Sequence, residues 1–118
     1  MTTHKSLEDL QKWYHAQCDE DWEHTYGVEI GTLDNPGWFL KIDLTDTILE
    51  SKTFDPIRYD NTESTDWIDC KVEKSKFAAF GGPNKLEELI QHFLDWARSE
   101  KDWLSVPPEA TQEELDLM

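Results

Sequence analysis

The chain has 118 residues and a formal net charge of −15, because 26 Asp and Glu stand against 11 Lys and Arg. This length predicts one domain, and a hydrophobic fraction of 37% with six Trp can build a core, which argues against general disorder. The negative charge repels phosphates and anionic lipid headgroups, which argues against nucleic-acid binding and against a membrane-surface role.

The first predicted element is a short amphipathic helix that ends near Cys18. Ser6 has the character of an N-cap, and Asp9 follows three residues later as in an acidic variant of the capping box. Apolar residues recur at spacings of three and four along this stretch: Leu7, Leu10, Trp13, Tyr14 and Cys18. The acidic run that follows, residues 19–21, is expected to be a solvated connection.

The chain from Cys18 to Leu44 is expected to contain a β-hairpin. Apolar and polar residues alternate over 22–30 and again over 38–44, which is the pattern of a strand with one buried face. The connection Asp34-Asn35-Pro36-Gly37 has the composition of a tight turn, in which Gly37 is expected to adopt a positive φ. A hairpin of this kind needs further strands and helices to cover its apolar face.

Further strands are predicted between the hairpin and a second helix. Residues 47–54 suggest a third strand although they alternate poorly, and residues 57–59 suggest a short fourth piece. Clean alternation over 66–73 predicts another strand, and a turn near Lys74-Ser75 leads to a last strand over 76–80. These connections are too short to hold crossover helices, so neighbouring strands are expected to be antiparallel.

The sharpest boundary in the chain is the sequence Gly-Gly-Pro-Asn at 81–84. Asn84 is the expected N-cap of a second amphipathic helix, with Glu87 three residues later. The apolar stripe of this helix runs to about Arg98. Residues 105–118 contain four acids and no basic residue, and they are expected to form an acidic, flexible tail to a single domain over 1–104.

Together these elements predict an α+β fold, in which an antiparallel meander sheet of about five to six strands has the N-terminal and C-terminal helices packed on one face. The face under the helices is predicted to carry Trp22, Tyr26, Val28, Ile30, Trp38, Leu40, Ile42, Ile68, Cys70 and Val72. The opposite face is predicted to show Glu29, Phe39, Lys41, Asp43, Trp67, Asp69, Lys71 and Glu73. This second face would be an acidic surface with aromatic residues in it.

Catalytic and metal sites find little support in the sequence. His15, Cys18, Asp19 and His24 are residue types that bind zinc, but no second ligand pair completes a set, so no metal and no cofactor is expected. The two cysteines, Cys18 and Cys70, are interpreted as buried thiols, with a disulfide or a reactive thiol as the alternative. There is also no nucleophile or phosphate-loop motif, and no enzymatic activity is expected.

The predicted outer face offers the better candidate for function. Aromatic anchors with a charged surround are typical of protein interfaces. The candidate partner-binding residues are Glu29, Phe39, Asp43, Trp67, Asp69 and Glu73. Two alternatives stay open: the C-terminal segment folds over this face and buries Phe39 or Trp67 under Trp103 or Leu115, or the assignment of faces is incorrect.

Several segments of the chain resemble the immunity protein 53 family of bacterial polymorphic toxin systems. The resemblance rests on WYxxQCDxDWEH at 13–24 and TLDNPGW at 32–38, which are long and rich in rare residues. It continues through DW and CKVE within 66–73 and through the helix at 86–96, so that it covers 7–98. The segment after Trp103 lies outside the pattern.

The resemblance implies a protein that binds and neutralises a cognate toxin domain encoded beside it, stoichiometrically and without a cofactor. It does not single out toxin-contacting residues, and it does not fix the toxin. A basic nuclease is one toxin class that is compatible with the negative charge, since its own substrate is polyanionic.

Two functions other than immunity stay open. A small acidic adaptor or regulator with a non-toxin partner would use the same surface, and a minor enzyme built on Cys18 or His24 would need an exposed thiol. The oligomeric state stays open. No apolar run is long enough to cross a bilayer, and the N-terminal segment does not resemble a signal peptide, so a cytoplasmic location is expected.

Overall fold

A computed structural model describes residues 6–60 and 65–99 of the chain. Three helices and five strands lie in this part. In chain order they are α1 (Ser6–Gln17), α2 (Trp22–Thr25), β1 (Val28–Leu33), β2 (Gly37–Asp43), β3 (Ile57–Asp60), β4 (Trp67–Glu73), β5 (Lys76–Gly81) and α3 (Leu86–Arg98). The predicted α+β class with one antiparallel sheet is confirmed, and the sheet of the described residues has five strands.

The strand order is β1-β2-β5-β4-β3, and every neighbouring pair is antiparallel. The sheet is therefore not a continuous meander. A hairpin of β1 and β2 lies beside a three-stranded meander of β3, β4 and β5, and the connection over 44–56 carries the chain from β2 to the far edge of the sheet. Such a pairing of β2 with β5 is long-range in sequence, and local patterns do not specify it.

The register of the strands sets the two faces of the sheet. Residues paired across neighbouring strands point to the same side, so Leu40, Ala79 and Cys70 share one face, while Phe39, Phe80 and Asp69 share the other. The first face carries the core and is covered by helix α3, whose side chains Leu89, Phe93 and Leu94 are fully buried there. The predicted assignment to faces is confirmed for the residues that lie on strands, but Trp22 and Tyr26, predicted on the inner face of the first strand, lie before β1.

Helix α1 packs against α3 and adds two large side chains to the same core. Trp13 is fully buried and makes edge-to-face contacts with Phe93, at a centroid distance of 5.1 Å, and with Trp22, at 6.1 Å. Asp9 of α1 also forms an ion pair with Arg98 of α3. The two helices therefore lie on one face of the sheet, as predicted, and both end within a residue of the predicted position.

The first half of the predicted first strand is helical. Residues 22–25 form the single turn α2, and β1 begins only at Val28. The cause is local hydrogen bonding: the Asp19 carboxylate accepts from the Trp22 N–H (2.8 Å), and the Glu23 carboxylate accepts from the Asp19 and Glu20 N–H groups (3.0 and 2.9 Å). These side chains cap a turn that the apolar alternation alone does not reveal.

The predicted third strand over 47–54 is also wrong, because this segment is a series of turns. The hydroxyl of Thr47 donates to the Leu44 carbonyl (2.7 Å) and accepts from the Leu49 N–H (3.1 Å). Leu49 is fully buried, and Ile48 and Phe54 pack against the core. The apolar residues that suggested a strand are therefore buried from a loop whose backbone is satisfied locally.

Two predictions need correction, one about a glycine and one about a helix cap. No described glycine has a positive φ, so Gly37 is not required by its backbone angle. A Cβ at Gly37 would instead collide with the carbonyl oxygen of Gly81, because β2 and β5 approach closely there. The N-cap of α3 is Lys85 rather than Asn84, and it makes no side-chain capping bond. The positive φ angles lie elsewhere, at residues that include Lys74 and Ser75 in the predicted turn.

Some predictions concern residues outside the described ranges. The acidic tail over 105–118 lies there, as do Trp103 and Leu115, the two residues considered as a cover for the outer face.

Candidate functional site

The outer face is the side of the sheet that points away from α1 and α3. It contains all six candidate partner-binding residues from the sequence, each on a strand. Its strand positions are Glu29, Gly31, Leu33, Gly37, Phe39, Lys41, Asp43, Arg58, Asp60, Trp67, Asp69, Lys71, Glu73, Lys76, Ala78 and Phe80. No described helix covers this face, since the buried side chains of α3 all enter the core on the other side.

Two phenylalanines form the centre of the outer face. Phe39 on β2 and Phe80 on β5 are directly paired. The Leu44 N–H donates to the Ser75 carbonyl, which makes Leu44 and Ser75 a hydrogen-bonded pair of the same ladder. Because such pairs alternate, Phe39 and Phe80 form a non-hydrogen-bonded pair, the kind in which side chains are closest.

A cation lies over this aromatic pair. The Lys41 ammonium is 5.2 Å from the centroid of the Phe39 ring and 6.0 Å from that of Phe80. Ala78, opposite Lys41 on β5, is small and leaves room for the lysine to lean across. Both rings are half-buried, so the centre of the face offers apolar area with a positive charge at its margin.

Trp67 extends the aromatic surface towards β3. It is half-buried at the start of β4, and its carbonyl accepts a hydrogen bond from the Gly82 N–H (3.1 Å). Asp69, two residues further along β4, is paired with Phe80, so Trp67 lies diagonal to Phe80. The structure therefore brings Phe39, Phe80, Trp67 and Asp69 onto the same face of three neighbouring strands.

The outer face is less acidic than the sequence predicted. Its strand positions hold five carboxylates and four cations, so their formal net charge is −1. The five are Glu29, Asp43, Asp60, Asp69 and Glu73, and the four are Lys41, Arg58, Lys71 and Lys76. Two of the cations, Arg58 and Lys76, were not assigned to a face from the sequence.

Asp43 and Glu73 have structural partners at the end of the face. The Lys76 ammonium is 3.4 Å from an Asp43 oxygen, and the Lys71 ammonium is 3.1 Å from a Glu73 oxygen. Asp43 also accepts from the Gly27 N–H (3.0 Å), which fixes the entry to β1. Glu29 is exposed and lies on the edge strand opposite Lys41.

A denser group of carboxylates lies in the loops beside the Asp43 end of the face. We call it the acidic corner, and it consists of Asp19, Glu20, Asp21, Glu23, Asp46 and Glu50. The indole N–H of Trp22 joins its two loops by donating to the Thr45 carbonyl (2.9 Å). A hollow of about 210 Å³ opens here and is lined by Asp19, Asp21 and Asp46. Residues 19–25 and 44–50 contain no Lys or Arg, so this negative charge has no cation within its own loops.

The position of Phe80 on the outer face was not predicted from the sequence. The signal was present, because in Lys76-Phe77-Ala78-Ala79-Phe80 two phenylalanines three residues apart must point to opposite sides of a strand. Phe77 is fully buried, which assigns Phe80 to the outer side. A strand of small and apolar residues does not by itself show which of its faces is covered.

The thiols lack the features of a catalytic nucleophile. Burial raises the pKa of the Cys70 thiol to about 12, with a further contribution from the nearby Asp69 carboxylate. Cys18 is only partly buried, so the prediction of a buried thiol holds for Cys70 and not for Cys18. Partial burial also raises the pKa of Cys18, whose thiol donates to the Tyr14 carbonyl (3.4 Å). Both cysteines are free, and a thiolate is the reactive form. Within residues 6–60 and 65–99, no cluster of three His, Cys, Asp or Glu could hold a metal ion, and no helix is long and apolar enough to cross a membrane.

Comparison with known proteins identifies one family. The family model described as Immunity protein 53 matches residues 7–98. This match spans α1 to α3 and all five strands, and so contains the whole outer face. Neither the curated proteins nor the solved structures include a match to the chain.

Proposed function

The chain belongs to the immunity protein 53 family, and on that premise we propose that it binds a cognate bacterial toxin domain and neutralises it by covering the active site or an adjacent exosite. The complex is stoichiometric and needs no cofactor.

The observation that carries this proposal is the set of aromatic residues on the outer face, which no helix of the described residues covers. Phe39, Phe80 and Trp67 offer apolar area in the middle of charged side chains, and fully desolvated aromatic anchors dominate many protein interfaces. The proposed partner-binding set is Glu29, Phe39, Asp43, Trp67, Asp69 and Glu73, with Phe80 added from its place between Phe39 and Asp69.

The charge of the protein acts on the rate of encounter more than on the contact itself. The face has a formal charge near zero at its strand positions, whereas the chain carries −15 and the acidic corner adjoins the face. Such a field attracts a basic partner over roughly a Debye length, about 8 Å at physiological salt. A basic nuclease is the toxin class that this arrangement favours, because its active site binds a polyanion.

A titration tests the proposal directly. The full chain is titrated at low and high salt against the C-terminal toxin domain encoded by the gene immediately upstream, and the toxin's activity is measured in parallel. We expect a 1:1 complex that abolishes toxin activity and forms more slowly as salt rises. The absence of binding at both salt concentrations would contradict the proposal, and binding to a different protein without any effect on a toxin would favour the adaptor alternative.

A further inference from the structure

Strand β1 forms one edge of the sheet, and half of its backbone groups point away from the sheet. The Gly27 carbonyl accepts from the Asp43 N–H (3.0 Å), which makes Gly27 and Asp43 a hydrogen-bonded pair. Because such pairs alternate in an antiparallel ladder, Val28, Ile30 and Thr32 direct their N–H and C=O groups outwards. Within residues 6–60 and 65–99, these groups have no backbone partner.

An apolar groove runs beside this edge, between β1 and the two long helices. It consists of two hollows, of about 340 and 260 Å³, that share Leu7 and Ile30. The first hollow is also lined by Tyr14 and Val28, and the second by Leu86. Leu7 is 58% exposed and Ile30 39% exposed, which leaves large apolar side chains in water along an open strand edge.

We propose that β1 takes up an extended strand of the toxin domain as an additional strand of the sheet, with alternate apolar side chains of that strand entering the two hollows. This inference rests on the proposed function. Strand addition supplies main-chain hydrogen bonds to Val28, Ile30 and Thr32, and pockets for alternate side chains supply specificity. Side chains two residues apart on one side of a strand are about 6.7 Å apart, a spacing suited to two adjoining hollows.

The occupant is a strand of a cationic partner rather than a second copy of this chain. Two copies would each bring a charge of −15 to the interface, and each would carry the exposed Glu29 on the edge strand itself. A toxin strand with apolar residues towards the groove and Lys or Arg beside them complements the Glu29 carboxylate and the net negative charge of the chain.

The edge is also continuous with the outer face. The Phe39 ring lies over Gly31 so closely that a Cβ at Gly31 would collide with it. An added strand would direct every second side chain to the outer side, beside Gly31 and Phe39. One partner can therefore occupy the groove, the strand edge and the aromatic centre at the same time.

Residue-resolved amide hydrogen exchange on the full chain tests the inference. Alone, the protein should exchange the outward N–H groups of Val28, Ile30 and Thr32 quickly, and those of Glu29 and Gly31 slowly because they bond to β2. Binding of the toxin domain should slow the exchange of the Val28, Ile30 and Thr32 amides by about tenfold or more. Protection of these three amides in the free chain would overturn the inference, since the edge would already be covered by the chain itself or by a second copy. Unchanged exchange in the complex would also overturn it.

Variants of the edge and of the groove provide a second test. Thr32→Pro removes an outward N–H without touching the β1–β2 ladder, and Thr32→Val is the matched control that keeps it. Leu7→Asp places a carboxylate in the groove at an exposed helix position where an acid is favourable for folding. We expect Thr32→Pro and Leu7→Asp to raise the Kd by about tenfold or more, and Thr32→Val by less than about twofold.

The outcomes separate this inference from the proposed function. Binding by Thr32→Pro and Leu7→Asp within about twofold of the unchanged chain would overturn strand addition, while binding of the unchanged chain would still support toxin neutralisation. Failure of the unchanged chain to bind would instead contradict the proposed function. Thermal unfolding of each variant shows whether a loss of binding reflects a loss of fold.

Discussion

Phe39 and Phe80 lie directly opposite each other at the centre of the outer face, although they are 41 positions apart in the chain. Their pairing follows from the long-range contact of β2 with β5, and it places the Lys41 ammonium near both rings, 5.2 Å from the centroid of Phe39 and 6.0 Å from that of Phe80. Trp67 lies diagonal to Phe80 on β4, so the two residues can contact the same partner.

Truncation of the aromatic anchors should weaken toxin binding. We expect Phe80→Ala and Trp67→Ala each to reduce binding by about 2 kcal/mol or more, measured by titration calorimetry, because each removes an apolar anchor from a desolvated centre. Asp95→Ala is the control: its side chain is exposed on α3, on the other side of the sheet, and the expected change is below about 0.5 kcal/mol. A folded Trp67→Ala or Phe80→Ala variant that loses less than about 0.5 kcal/mol would remove that residue from the proposed site.

Substitution of Gly37 should destabilise the fold through strand packing. An alanine Cβ at this position would collide with the Gly81 carbonyl oxygen, a backbone atom that can move only if β2 and β5 separate. We expect Gly37→Ala to lower the free energy of unfolding in urea by about 2 kcal/mol or more.

Gly27→Ala is the matched control for the Gly37 variant. Gly27 does not have a positive φ, and no other atom lies within 4 Å of the Cβ that alanine would add. The free energy of unfolding of Gly27→Ala should therefore be unchanged or higher by up to about 1 kcal/mol, because alanine reduces the entropy of the unfolded chain. Equal stability of the two variants would show that β2 and β5 are less closely packed than the structure indicates.

Alternation and helical spacing were sufficient to predict much of the fold. Each strand residue that the sequence assigned to a face, such as Ile42 or Asp69, lies on that face, because one shift of register would expose the whole apolar set. Helix α3 was also predicted over its full length, since its apolar stripe is long and regular.

The errors arise where side chains compete with the apolar pattern for the local backbone. Asp19 and Glu23 cap a turn that makes residues 22–25 helical, and the Thr47 hydroxyl bonds stabilise turns over 47–54. The strand order could not be predicted because the pairing of β2 with β5 depends on contacts distant in sequence. For the same reason, the sequence identified Phe39 and Trp67 but not Phe80 between them.

The turn between β4 and β5 offers a stabilising change. Lys74 and Ser75 have φ angles of 56° and 60°, the pattern of a two-residue type I′ turn, which favours Asn or Gly. We expect Ser75→Gly to raise the free energy of unfolding by roughly 1 kcal/mol, because glycine adopts this angle without a Cβ clash. Ser51→Gly is the control: Ser51 is exposed in a turn without a positive φ, and glycine there should give no gain. If both variants had the same stability, strain at Ser75 would be excluded.

Cys70 should remain unreactive in the folded protein. Its side chain is fully buried, and its pKa is raised from 9.0 to about 12 by that burial. We expect a thiol reagent at pH 8 to label Cys70 only when urea unfolds the chain, whereas the half-exposed Cys18 reacts in the native state, more slowly than an ordinary thiol because its pKa is also raised. Rapid native labelling of Cys70, assigned by peptide mapping, would contradict its burial and reopen a catalytic role.

The same thiol should make the stability of the protein depend on pH in the alkaline range. The pKa of Cys70 is higher in the folded state than in the unfolded state, so between about pH 9 and pH 12 the folded chain holds one proton more. The contribution of the Cys70 thiol to the free energy of unfolding is therefore fully present below pH 9 and is lost as the pH rises towards 12. Cys70→Ala removes the titrating group, and its unfolding free energy should fall less steeply over this range than that of the unchanged chain. If the unfolding free energies of Cys70→Ala and of the unchanged chain followed parallel curves against pH, the thiol would ionise equally in the folded and unfolded states. Burial would then not control its chemistry.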